Sequence, residues 1–158
     1  MKVFIGPYPD PEDSDYTEDE QEISVEIHNY DTWSMDHTLA YIIVPMLQQL
    51  KKTKDGSPDV DMSDVPEELR VDDAERNPYD IDDKWHDRWD YVLNEMIWAF
   101  EQKTIDWEEQ YYGYWVEDEH EPLGGYVVNS DMEGRKKHQE RMQNGFRLFG
   151  RYYENLWD

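Results

Sequence analysis

Apolar side chains recur at helical spacing in three stretches of the chain. The spacing of three and four residues predicts helices over about residues 34–52, 82–103 and 131–156. Pro45 lies inside the first stretch and is expected to kink or break that helix, because proline has no backbone N–H to donate. Large rings on both sides of the second helix are typical of a central helix or of one that contributes to an interface.

Shorter segments show the pattern of strands. Ile23, Val25 and Ile27 alternate with polar residues, and we expect this segment to pair with an apolar run at residues 2–5 as a hairpin with a long loop. Tyrosine, tryptophan and valine at residues 111–116 and 125–128 predict two more strands around an acidic turn. The whole pattern predicts an α+β fold, with about three helices packed on a small antiparallel sheet. A purely helical bundle is the alternative.

The length of 158 residues is that of one ordinary domain, so residues 1–158 are expected to form a single domain. Two segments rich in proline and acidic residues, at about 6–21 and 53–82, are predicted to be acidic loops. The chain has no cysteine, which excludes disulfides and thiolate metal sites. No apolar run approaches the roughly 20 residues that span a bilayer, so no membrane partner is expected.

The formal net charge of −24 is unevenly distributed along the chain. Residues 1–134 hold 9 Lys and Arg against 36 Asp and Glu, whereas residues 135–151 hold 6 against 1. The acidic body should repel nucleic acid and anionic membranes, so we expect no direct nucleic-acid binding by it. Its expected partners are basic proteins, cations or the DNA-binding surfaces of other proteins.

The third predicted helix carries a row of basic side chains on the side away from its apolar stripe. The row consists of Lys136, Lys137, Arg141, Arg147 and Arg151. Arginine forks match phosphate oxygens, so the row is a candidate ligand-binding surface for an anionic small molecule. Tyr91 and Trp98, which lie off the main stripe of the second helix, join this candidate set as an outer aromatic contact. The alternative is a solvated helix face that attracts the protein's own acidic body.

Asp36 and His86 form a candidate polar pair. Helical periodicity places each on the apolar side of its helix, so the two would meet if the first two helices pack face to face. A carboxylate–imidazole pair serves acid–base chemistry or orients a ligand. The alternative is structural, because both residues lie in first helical turns. No phosphate loop, nucleophile motif or metal motif accompanies them, and we expect neither a cofactor nor a metal.

Three segments of the chain carry a family resemblance: Tyr30–Pro45, Trp89–Glu101 and Asn144–Asp158. Their motifs are TWSMDHTLA, WDYVLNEMIWAFE and NGFRLFG, the last followed by paired tyrosines and LWD. In these motifs the chain resembles a family of small, uncharacterised proteins encoded by tailed bacteriophages. The resemblance implies phage origin and expression inside a bacterium. It implies no activity and no site residue, because none is assigned to the family.

The leading hypothesis is a non-catalytic phage accessory protein that blocks or sequesters a host factor, such as a defence protein, in the host bacterial cytoplasm. Either its acidic body imitates DNA, or its basic helix face captures an anionic ligand of the nucleotide type. One alternative is a structural or assembly component of the phage particle that forms a homo-oligomer through its aromatic surface. The other alternative is a metal-dependent enzyme that uses Asp36 and His86.

Overall fold

A computed structural model describes residues 1–6, 22–71 and 81–157. Within these residues the elements are β1 Lys2–Ile5, β2 Ile23–Glu26, α1 Met35–Thr53, α2 Trp85–Glu101, β3 Tyr114–Glu117, β4 Gly125–Val128 and α3 Met132–Arg151. The α+β class is therefore confirmed, and the strands form two separate two-stranded sheets. The chain divides into two compact units, Met1–Thr38 and Leu39–Asp158.

The first unit contains a hairpin whose two strands lie far apart in the sequence. β1 and β2 pair in antiparallel orientation, with Lys2 opposite Glu26, so the hairpin predicted from the alternating pattern is confirmed. The predicted acidic loop that joins the strands lies outside the described residues, apart from Gly6. The N-terminal amine donates a hydrogen bond to the carboxylate of Asp31 at 2.8 Å, which ties the start of the hairpin to the segment after it.

The second unit is built around α2, and the predicted apolar stripe of this helix forms the core. Its buried apolar residues are Trp89, Val92, Leu93, Met96, Ile97 and Ala99. α3 packs against this face through Met142, Gly145 and Leu148, which are also buried. Helical periodicity thus predicted the two helices whose contact forms this core.

α3 meets the backbone of α2 at Gly145. A Cβ atom at this position would overlap the Cβ of Ala99 and would lie 2.5 Å from the carbonyl oxygen of Glu95. These distances are far inside van der Waals contact, so the two backbones approach this closely because the residue is glycine. A glycine that weakens an isolated helix thus serves here as a packing position.

α1 is continuous from Met35 to Thr53, so Pro45 does not break it. Leu47 of this helix is 3% exposed and belongs to the core cluster around α2. Ile43 and Leu50 are partly buried against the same cluster. Proline removes one backbone donor from the helix, and the packing of these neighbours stabilises the turns on either side of it.

The strap, which we define as residues 54–71, follows α1 and contains no long helix. Val60 and Val65 anchor it, because both are almost completely buried in the core cluster. Two 3-10 turns, Met62–Asp64 and Glu67–Leu69, shape the backbone between and after these anchors. Residues 72–80 of the predicted acidic loop lie outside the described residues.

β3 and β4 form the second hairpin, so the predicted pair of strands is confirmed, although the first strand begins at Tyr114 and not at residue 111. Tyr114 pairs with Val128, and Glu117 pairs with Gly125. Most of the side chains on both faces of this hairpin are exposed, in contrast to those of α2. The hairpin therefore adds little to the apolar core.

Candidate functional site

α3 carries the predicted basic face, and it begins with a side-chain cap. The carboxylate of Asp131 accepts a hydrogen bond from the N–H of Gly134 at 2.8 Å, which satisfies a donor that the first turn leaves free. The five residues of the predicted basic row are Lys136, Lys137, Arg141, Arg147 and Arg151. Each of them lies within salt-bridge distance of a carboxylate. The identity of that carboxylate separates the lysines from the arginines.

The two lysines form exposed ion pairs within α3 itself. Lys136 lies 3.7 Å from Glu140, and Lys137 lies 2.6 Å from Glu133, each at a spacing of four residues. All four side chains are mostly exposed, so solvent screens the attraction and each pair contributes little to stability. These lysines therefore belong to a solvated helix face.

Arg141 joins the two aromatic residues that the sequence placed in the candidate set. Its Nε and Nη2 donate to the two oxygens of Glu95 at 3.0 and 2.7 Å, and its guanidinium lies 3.9 Å above the Trp98 ring. The pKa of Tyr91 is raised, first by burial and then by the negative charge of Glu95. The positive charge of Arg141 acts in the opposite direction. The candidate residues Tyr91, Trp98 and Arg141 thus come together around a carboxylate that sequence reasoning missed.

Arg147 and Arg151 converge on a buried carboxylate of the strap. The Asp64 side chain is 2% exposed. Its Oδ1 accepts a hydrogen bond from Arg147 Nη2 at 2.7 Å, and its Oδ2 lies 3.0 Å from Arg151 Nη1. Arg151 also donates to Asp61 at 2.8 Å. The two arginines thus hold the strap against α3.

Tyr152, the buried residue directly after α3, completes this contact. Its hydroxyl donates to Oδ2 of Asp64 at 2.8 Å and accepts a hydrogen bond from the N–H of Asp61 at 3.1 Å. Burial raises the pKa of Tyr152 to about 12, and the hydrogen bond to Asp64 adds to the shift. Hydrogen bonds from the hydroxyl and N–H of Ser63 lower the pKa of Asp61 to about 2, with a smaller contribution from Arg151. We call Asp61, Asp64, Arg147, Arg151 and Tyr152 the strap network.

The arginines of α3 therefore have their hydrogen-bonding edges directed at the protein's own carboxylates. An arginine fork binds a carboxylate and a phosphate with the same geometry. A phosphate that used the Nε and Nη2 donors of Arg141 would have to displace Glu95, and one that used Nη2 of Arg147 would have to displace Asp64. Both carboxylates are buried, so the displaced charge would stay in a medium that stabilises it poorly.

Asp36 and His86, the candidate polar pair, have contacts with other residues. Asp36 lies in the first unit with an oxygen 3.7 Å from Nε2 of His37. His86 lies in the second unit, where its Nδ1 is 2.9 Å from the hydroxyl of Ser57 in the strap. Both side chains are exposed. The carboxylate–imidazole pair stays a prediction.

Three aromatic rings surround His138 on the inner side of α3, a residue that the sequence pattern did not single out. Its ring stacks on Trp107 with centroids 4.4 Å apart, and Trp98 lies 4.9 Å away. The hydroxyl of Tyr111 is 3.0 Å from its Nδ1. Burial, and to a smaller extent the positive charge of Arg141, lower the pKa of His138 from its ordinary value.

We expect the protein to lose stability as the pH falls below about 6.5, the ordinary pKa of histidine. The unfolded chain binds a proton at this histidine more readily than the folded protein, so the contribution of His138 is present above this pH and is lost below it. The measurement is the free energy of unfolding by urea between about pH 8 and pH 5, in the wild type and in His138→Phe. The matched control is His120→Phe, at an exposed histidine, which should keep the wild-type profile. Identical profiles for wild type and His138→Phe would contradict the assignment.

The described part of the chain holds neither a metal-ligand cluster nor a membrane-spanning helix. No three His, Asp or Glu side chains in residues 1–6, 22–71 and 81–157 are placed to hold a metal ion. The helices of the same residues are too short or too polar to cross a bilayer.

In comparisons with known proteins, no family model, no curated protein and no solved structure matches the chain.

Proposed function

We propose that this is a non-catalytic accessory protein of a tailed bacteriophage, which acts in the host cytoplasm by presenting an acidic surface to a basic site on a host factor. In this mode it imitates DNA and blocks a nucleic-acid-binding site, for example that of a defence protein. The observation that carries the proposal is the neutralisation of the arginine face of α3 by three internal carboxylates, Glu95, Asp64 and Asp61.

Because these arginines are paired internally, the exposed carboxylates determine the sign of the surface charge. The net charge is −24, and the arginines that would have offset it locally are engaged with buried carboxylates. Carboxylates that remain exposed include Glu67, Glu68, Asp83, Asp87, Glu117, Glu119 and Glu121. A surface of one sign attracts a partner of the opposite sign over about 8–10 Å in physiological salt and accelerates its association. This supports a partner whose binding site is basic.

The same contacts weigh against capture of a nucleotide by α3. We expect added nucleotides to leave the melting temperature unchanged, because Arg141 and Arg147 already bind internal carboxylates. A ligand that binds only the native state at about 100 times its Kd stabilises by roughly 2.7 kcal/mol, which a thermal shift assay detects easily. A clear upward shift with any nucleotide would favour capture over imitation.

The experiment that tests imitation is a pulldown from infected cells, with mass spectrometry of the bound proteins. Expected partners are DNA-binding proteins that duplex DNA displaces and that elute as salt is raised, because ion pairs with solvent-exposed charges are screened. The control is a variant in which the seven exposed carboxylates named above become amides, with its fold checked by circular dichroism. It should lose these partners. Retention that depends on neither salt nor these carboxylates would contradict the proposal.

A further inference from the structure

An apolar groove lies between α1 and the C-terminal end of α3. Its volume is about 600 Å³, and its lining consists of Ile43, Met46, Leu47, Leu50, Phe149, Tyr153 and Leu156. Leu47 is 3% exposed and forms the floor, whereas Met46 and Tyr153 at the edge are 62% and 65% exposed. A concave surface with an apolar lining and an exposed methionine and aromatic rim has the composition of a protein-binding site.

The net charge of the chain, more than the flanks of the groove, indicates the charge of its occupant. On the α1 side, the last turn carries Lys51 and Lys52. Arg147 and Arg151 on the α3 side are held in the strap network, so they offer little free positive charge. Glu154, beside Tyr153, is exposed. The chain as a whole carries −24, which disfavours a second copy of itself and favours a cationic partner.

We propose that this groove binds a basic amphipathic helix of a partner protein. A row of apolar side chains at positions i, i+3, i+4 and i+7 enters a groove between two helices, while lysine or arginine on the flanks faces the acidic body. The cationic character of this helix rests on the proposed function, and the location of the site rests on the groove alone. The groove supplies the apolar anchor that surface charge by itself lacks.

Two synthetic helical peptides test this inference in solution. Both carry a leucine stripe, one with lysine flanks and the other with glutamate flanks, and their binding to the full chain is measured by fluorescence anisotropy. The lysine peptide is expected to bind at least about tenfold more tightly than the glutamate peptide. Failure of the lysine peptide to bind, or equal binding of both peptides, would overturn the inference.

Substitutions at the rim locate the binding site. Met46→Lys and Tyr153→Lys should each weaken the lysine peptide about tenfold or more, by adding positive charge and removing an apolar contact. Leu123→Lys makes the same charge change at a residue that is 84% exposed and lies outside the groove, and it should change the affinity less than about twofold. Equal effects at all three positions would show binding by charge without the groove.

Light scattering tests whether a second copy of the chain occupies the groove. Dimers of the wild type that the Met46→Lys substitution dissociates would show that it does.

Failure of this inference is distinguishable from failure of the proposed function. One outcome is that Met46→Lys binds the peptide as tightly as the wild type while salt-sensitive host partners are still recovered. That result would refute the groove as the binding site and would support imitation of DNA. If the lysine peptide binds through the rim but no DNA-binding partner is recovered from infected cells, the groove stands and imitation is wrong. Circular dichroism of each variant excludes misfolding as the cause of lost binding.

Discussion

Replacing Asp64 by asparagine is expected to lower the free energy of unfolding by about 3 kcal/mol. Both oxygens of this buried carboxylate have partners. Oδ1 accepts a hydrogen bond from Arg147, and Oδ2 accepts one from Tyr152 and pairs with Arg151. Asparagine keeps the shape, but its NH₂ group would face other donors, and two arginines would lose their shared negative charge. The strap would lose its buried charged contact with α3 and keep its two buried valines and its hydrogen bonds to α2.

The measurement is unfolding by urea followed by tryptophan fluorescence. The matched control is Asp106→Asn, at an exposed aspartate, for which a change within about 0.5 kcal/mol is expected. A double-mutant cycle of Asp64→Asn with Arg147→Gln isolates the coupling between the two side chains. A loss below about 1 kcal/mol for Asp64→Asn would mean that the strap network contributes little to stability.

Replacing Gly145 by alanine is expected to cost about 2 kcal/mol, against the usual preference of helices for alanine. The added methyl group would overlap the Cβ of Ala99 and press on the carbonyl oxygen of Glu95, so α2 and α3 would have to separate. Separation would loosen the contacts of the buried residues along both helices.

Gly150 provides the matched comparison within the same helix. A Cβ atom there would meet no atom within 4 Å, so Gly150→Ala should raise stability by about 0.5–1 kcal/mol through helix propensity. The two substitutions are chemically identical and should have opposite signs in chemical denaturation. Two stabilising effects would mean that α2 and α3 do not approach as closely as described.

Local patterns in the sequence were sufficient to predict the elements of the fold. The 3.6-residue period identified all three helices, because it reflects burial of one helix face. Alternation at Ile23 and Val25 identified the first hairpin, although the residues of both its strands are exposed. Pro45 was expected to kink or break the first helix, and α1 is not broken there, since tertiary packing of Leu47 and its neighbours outweighs one missing hydrogen bond. Strong tertiary packing can therefore override the local conformational preference of a single residue.

The charge partners of α3 could not be predicted in the same way. Asp61 and Asp64 stand in a segment so rich in acids that composition gives no reason to bury either of them. Their partnership with Arg147 and Arg151 joins residues far apart in sequence, and periodicity describes only neighbours along a helix. The pattern thus identified the arginines, and only the fold identified what they bind.

Glu95 is different, because the sequence contained a signal for it. It follows Tyr91 by four residues and precedes Trp98 by three, so it shares their helix face. A carboxylate between two aromatic candidates on the face toward a basic helix is a natural partner for Arg141. Arg141 does lie over Trp98, and the carboxylate of Glu95 binds its guanidinium, whereas the ligand-binding role of Tyr91, Trp98 and Arg141 stays a prediction.

The contact between Asp64 and Arg147 spans 83 residues, which has a consequence for synthesis of the protein. At a translation rate of about 5–20 residues per second, the ribosome makes Asp64 roughly 4–16 s before Arg147. Until then the nascent chain has a strap without its cations and a central helix without its packing partner. The second unit therefore completes its folding late, and the unfinished chain spends that interval exposed to the chaperones and proteases of the cell.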